Sequence, residues 1–249
     1  MHHTELLVYA DADALYAAAA DRWLELAEDA IADQGEFHVA LAGGNTPRGL
    51  YRLLAQTPYK QAIDWPHVHI YFGDERCVAS DHPDSNYRMA YETLLSQVPI
   101  PPEQIHRIPA DMADHQAAAE AYSSTLKHCL PSVYQLPIFD LVLLGIGDDG
   151  HIASLFPGTP ALDESNRLTT AVYVEKFNSW RISLTLPVIN NASHIIILAS
   201  GDAKAAILKQ ILGNRATQQQ PPLPAQRVRA RGELAWLVDA AAARHIKTD

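Results

Sequence analysis

Short apolar runs alternate along the chain with longer stretches whose apolar positions recur at helical spacing. Residues 37–42, 68–72, 139–144, 194–200 and 234–238 each read as a strand bounded by turn residues. The run at 139–144, apolar except for Asp140, suits an interior parallel strand covered on both faces. Between the strands, 11–33 carries Leu15, Trp23, Leu26, Ala30 and Ile31 near helical spacing and meets Gly35 as a stop. Gly43 and Gly44 lead into a helix reaching about Ala55, with Thr46 placed as its N-cap and Pro47 at the first helical position. Further helices are expected over 87–95 and 112–130, after Gly201-Asp202 through Lys204 to about Leu212, and at the Ala-rich C-terminus. Segments 105–108, 172–174 and 181–186 suggest additional strands. This alternation predicts an α/β fold with a doubly wound, mostly parallel sheet. The Pro- and Gln-rich stretch 215–224 reads as a surface loop, because too little chain follows it for a second domain, so 1–249 is expected to form a single domain.

In such sheets a ligand crevice lies beyond the carboxyl ends of the strands, so the residues just after each run are the candidate chemistry. After the central strand comes Gly145-Ile146-Gly147-Asp148-Asp149-Gly150-His151, whose three glycines indicate unusual dihedrals or close approach to a ligand. A His two residues after an Asp on that rim is a candidate general acid/base; a polar loop with a surface His is the plainer alternative. After 37–42, the glycine pair and capped helix gather free N–H groups and a positive dipole end, an arrangement suited to an anion. It matches neither the Walker spacing nor G-x-G-x-x-G, and an ordinary βα turn would share its composition. After 68–72, Gly73-Asp74-Glu75-Arg76 is either a solvated turn or a part of the same rim.

Composition narrows the partners. A net charge of −10 disfavours nucleic acid, while local cations still permit a small anionic substrate. No apolar stretch is long enough to cross a bilayer and no secretory signal is apparent, so neither a membrane nor export is expected and the default location is cytoplasmic. Cys77 and Cys129 have no paired spacing, and the twelve His show no ligand spacing, so no metal is expected.

Three separated motifs, LAGGNTPRGLY, IYFGDERCV and LLGIGDDGHIASLFPG, resemble the 6-phosphogluconolactonases of the glucosamine-6-phosphate isomerase/6-phosphogluconolactonase family over about residues 5 to 243. The resemblance implies a modified Rossmann-like fold, no cofactor, and hydrolysis of 6-phospho-D-glucono-1,5-lactone in the oxidative pentose phosphate pathway. It puts Gly43, Gly44, Asn45 and Thr46 on the family's phosphate loop, with Asn45 in place of its usual Ser. Arg181 and Lys204 match its cations for the sugar phosphate, His151 its catalytic histidine, and Asp74 and Arg76 its other site charges. Asp149 is expected to orient His151 or to stabilise the loop, Arg76 to steady an oxyanion or hydroxyls, and Asp74 to bind hydroxyls or hold Arg76. The related deaminating isomerase continues its motif with Phe-Asn-Glu-Pro and uses that Glu, where this chain has Phe156; it also has D-E-Y where this chain has D-E-R. A non-catalytic sugar-phosphate sensor is the other alternative, opposed by the presence of every catalytic residue type and the absence of a DNA-binding region.

Overall fold

The computed structural model describes residues 3–213 and 221–246. In chain order it comprises β1 (His3–Tyr9), α1 (Ala12–Gln34), β2 (Phe37–Leu41), α2 (Asn45–Leu54), α3 (Tyr59–Ala62), β3 (Val68–Phe72), β4 (Asp74–Arg76) and α4 (Asn86–Ala90). There follow α5 (His115–Cys129), β5 (Ser132–Val133), β6 (Leu136–Pro137), β7 (Leu141–Gly145), β8 (Thr169–Val174) and β9 (Ser179–Leu184). The chain ends with α6 (Leu186–Asn190), β10 (His194–Ala199), α7 (Ala205–Leu212), β11 (Glu233–Asp239) and α8 (Ala240–Ala243).

Six strands form one all-parallel sheet in the order β1-β11-β10-β7-β2-β3. From β2 the chain moves to β3 on one side, and from β7 to β10 and β11 on the other, which is the doubly wound topology expected from the alternation. The central strands are buried along most of their length, as their largely apolar runs require, with His38 the polar residue buried within β2. One buried core extends from Leu15 to Ala243. Helix α1 begins where the Asp11 side chain accepts from Ala14 N at 2.9 Å and stops at Gly35, whose φ of 89° closes the turn.

Several expectations are corrected. β1 was not anticipated: it is an edge strand, exposed or half-buried at each described side chain, so it lacks the apolar run that marks the inner strands. The segment 105–108 makes only an isolated bridge from Ile105 to Ile70. The strands near 172–174 and 181–186 lie outside the parallel sheet, pairing antiparallel with each other and with β4 in the order β4-β9-β8. Helix α5 starts at His115 because Asp114 caps Gln116 N and Ala117 N. Residues 91–95 form a π turn following α4. Lys204 ends a short 3-10 turn and stands at the N-cap of α7. Of the expected surface loop 215–224, residues 215–220 lie outside the described residues.

The amino ends of β2 and β3 hold a second polar layer. His38, 3% exposed, lies with Tyr71 and His69 near it, and His69 Nδ1 is 3.2 Å from His106 Nε2. Burial, then repulsion from His69, pushes the His38 imidazole down to about 4 against the pull of Glu36. The same two causes bring His106 to about 4. The folded state therefore binds protons less readily than the unfolded chain, so this contribution to stability is complete above pH 6.5 and is lost as pH falls towards 4. His38 alone should withdraw about 2 kcal/mol between pH 7 and pH 5. Urea unfolding at both pH values, repeated on His38→Phe, checks this: the variant should lose less stability than the parent, and an equal loss would refute the assignment.

Candidate active site

The carboxyl ends of β2, β7 and β10 open into one cleft of about 550 Å³ at the topological switch point. Gly43, Gly44, Asn45, Thr46, Asp74, Arg76, His151, Arg181 and Lys204 all line it. Asp149 is not part of the lining; it stands behind His151.

The glycine turn after β2 differs from the expected capped helix. Gly44, with φ 100°, is the N-cap, and α2 begins at Asn45, so Thr46 sits inside the first turn and Pro47 at its third position. No side chain caps this end. A Cβ at residue 44 would be strained by its φ, which is why glycine and not a capping side chain occupies it. The first-turn N–H groups of Asn45 and Thr46 have no acceptor within the helix and face the cleft with the positive dipole end. Gly43 has a different constraint: a methyl there would meet Asn86 Oδ1 at 2.0 Å.

The loop after β7 builds around its histidine. His151 Nδ1 lies 2.6 Å from Asp149 Oδ1, which also accepts from His151 N at 3.1 Å. Because the carboxylate accepts, Nδ1 carries the proton and the lone pair of Nε2 is left for chemistry. A Cβ at Gly147 would fall 2.0 Å from His151 Nδ1, so only glycine leaves room for the ring. Phe156 covers the imidazole, centroids 4.0 Å apart. Burial lowers the His151 pKa and outweighs the hydrogen bond and charge of Asp149, which act to raise it. The imidazole is therefore neutral at pH 7. Burial acts to raise Asp149, but hydrogen bonds from His151 and Lys176 prevail and hold its carboxyl below the usual range.

Asp74 and Arg76 reach the cleft on β4, an element the sequence reading did not anticipate. Asp74 is buried, its Oδ2 accepting from Ser154 Oγ at 2.6 Å and its Oδ1 from Asn86 Nδ2 at 3.1 Å. Arg76 is held by Asp84 O at 2.5 Å rather than by Asp74. Between them Glu75 is structural, accepting from the backbone N–H groups of Arg76, Asn86 and Tyr87 and from Ser85 Oγ. The β4–β9 register sets Arg76 directly opposite Arg181. The Arg181 guanidinium lies over Phe177 at 4.9 Å and Phe156 at 5.7 Å. Burial lowers the Arg181 pKa, and Asp74 acts against that.

Four participants escaped the sequence reading. Asn86 holds Asp74 and packs against Gly43; Ser154 anchors Asp74; Phe177 shares Arg181 with Phe156; and Lys176 Nζ contacts Asp148 at 2.6 Å and Asp149 at 3.2 Å. Only Asn86 left a local signal, a D-S-N sequence in which Ser85 caps α4 and delivers the next side chain inward. Asp148, Asp149 and His151 bring ligand-type atoms within 4.8 Å of one another, but the Lys176 ammonium already bonds both carboxylates, so a cation is supplied by the chain itself.

Comparison with known proteins adds to this geometry. The family model for glucosamine-6-phosphate isomerases/6-phosphogluconolactonase matches residues 10–236. A 6-phosphogluconolactonase of Synechocystis is 43% identical over 219 residues, 88% of each chain. One from Nostoc is 40% identical over 236 residues, 94% of this chain and 95% of the relative. The solved 6-phosphogluconolactonase of Trypanosoma brucei superimposes with a TM-score of 0.86 at 29% identity, covering 99% of this chain and 100% of that one.

Proposed function

Because the chain belongs to the glucosamine-6-phosphate isomerase/6-phosphogluconolactonase family, we propose that it hydrolyses 6-phospho-D-glucono-1,5-lactone to 6-phospho-D-gluconate, with His151 as general base and then general acid. The carrying observation is an imidazole whose Nδ1 is fixed on Asp149, at the edge of a cleft that also holds a free helix N-terminus and two guanidiniums. His151 Nε2 takes a proton from water as the oxygen bonds to C1. As the C1–ring oxygen bond breaks, the imidazolium returns the proton to the departing oxygen. Asp149 stabilises the imidazolium in between, and Arg76 faces the charge developing on the carbonyl oxygen. The glycine turn from Gly43 to Thr46, with Arg181 and Lys204, holds the phosphate. Asp74, fixed by Ser154 and Asn86, takes substrate hydroxyls.

No metal or organic cofactor enters this scheme, and the place of the reaction is the oxidative branch of the pentose phosphate route in the cytoplasm. No helix among the described residues is long and apolar enough to cross a membrane. The deaminase alternative is disfavoured because the side chain at the position of its catalytic Glu is Phe156, buried against His151.

The test generates the lactone in situ and compares its disappearance with the spontaneous background, with glucosamine 6-phosphate assayed in parallel for ammonia. Accelerated lactone loss that persists in a chelator is expected. Ammonia release without it would establish the deaminase, and silence on both substrates would leave sugar-phosphate binding without catalysis.

A further inference from the structure

We propose that Lys176 is a positioning residue of this site: its ammonium, anchored between Asp148 and Asp149, fixes the carboxylate that in turn holds His151. The inference rests on the lactonase reading for its kinetic part only.

The two oxygens of Asp149 are committed in opposite directions. Oδ1 accepts from His151 Nδ1 at 2.6 Å and Oδ2 from Lys176 Nζ at 3.2 Å. A carboxylate held at one oxygen turns about its terminal bond, and the second donor removes that freedom. Lys176 is not in the cleft lining, so it acts through Asp149 and not on substrate. It is delivered by the β8–β9 hairpin, whose tip is itself braced. Asn178 adopts a left-handed conformation at φ 47° and accepts from the Tyr173 hydroxyl, while Phe177 packs edge-on against Phe156 at 5.9 Å. One tip therefore places Lys176 on the acid that orients His151 and Phe177 on the guanidinium of Arg181.

The arrangement has an electrostatic consequence. The charged groups around His151 are Asp148 and Asp149 on its own loop, Asp74 from β4 and Arg181 from β9, with Arg76 and Lys204 further along the cleft. The Lys176 ammonium, 2.6 Å from Asp148 Oδ1 and 3.2 Å from Asp149 Oδ2, offsets part of the negative field of these carboxylates. Removing the ammonium leaves that field to stabilise the imidazolium, so the His151 midpoint must rise and less free base is present at a given pH.

The experiment compares the parent, Lys176→Met and Lys176→Arg by pH profiles of kcat and by NMR titration of the His151 ring, with resonances identified through a His151 variant. Lys176 is 44% exposed at its side chain, so the variants should fold. Lys176→Met is expected to lose about two- to fivefold in kcat with KM unchanged. Its kcat acid limb and the NMR midpoint should both move up by about half a pH unit, and Lys176→Arg should restore both. A Lys176→Met midpoint and kcat coincident with the parent would overturn the proposal. If the parent fails to hydrolyse lactone, the functional reading falls, while the NMR midpoint still decides the role of Lys176.

Discussion

His151→Ala should lower kcat for lactone hydrolysis by about 1,000-fold while leaving the thermal midpoint within a few degrees of the parent. The expected loss is large because one imidazole performs both proton transfers, and its replacement leaves only the positioning and charge of the cleft. Stability is spared because the ring sits on a rim loop rather than in the sheet, and its principal neighbour, Phe156, keeps its other packing on Phe177. The pH profile carries a second signature. Burial lowers the His151 pKa below its ordinary value near 6.5, so the free base persists below that pH and kcat should fall only in more acid solution. The substrate phosphate has its own second ionisation near pH 6, so kcat, which reports the bound complex, is the quantity to follow. A His151→Ala protein with more than a tenth of the parent rate would remove the histidine from the mechanism.

The parts of this site legible in the sequence are those whose signal is local. The loop from Gly145 to His151 announces itself because an apolar strand stops abruptly and two of its glycines are forced, Gly150 by its φ of 80° and Gly147 by the histidine ring. Local rules also misled, as at Thr46: a capping residue before a proline looks like a helix start, yet Gly44, with its positive φ, is the N-cap, so the helix begins two residues earlier and its end is left without a side-chain cap. Partnerships across long sequence separations left little local trace. Asp74 depends on Ser154, and β4 on residues 181–183 of β9, so three charged residues at a strand's end read equally well as a solvated turn until that pairing is known. Arg181 and Lys204 entered through family resemblance alone. Lys176 is an exposed lysine in a hairpin tip, and its composition carries no trace of the two carboxylates it meets.

Arg181→Met should cost roughly 10- to 100-fold in kcat/KM for the 6-phospholactone, chiefly through KM, without lowering stability. Arg76 and Arg181 stand directly opposite in an antiparallel pair, where like charges repel. Arg181 is 8% exposed, and the Nε atoms of both residues are buried without a hydrogen-bond partner. Neither guanidinium has a carboxylate within ion-pair distance among the described residues; Phe156 and Phe177 supply only the weaker attraction of their ring faces. A concentrated, under-compensated positive charge of this kind disfavours the empty protein, and a dianionic phosphate entering the cleft supplies the missing partner. Methionine keeps much of the volume between the two rings and removes the buried charge, so the thermal midpoint should stay level or rise as substrate affinity falls. Unphosphorylated glucono-1,5-lactone provides the control: without the anion, its slower hydrolysis should respond little to the change. Equal losses on the two lactones would place Arg181 at the reacting carbonyl instead of the phosphate, and a marked fall in stability would show that its charge is compensated in the empty cleft.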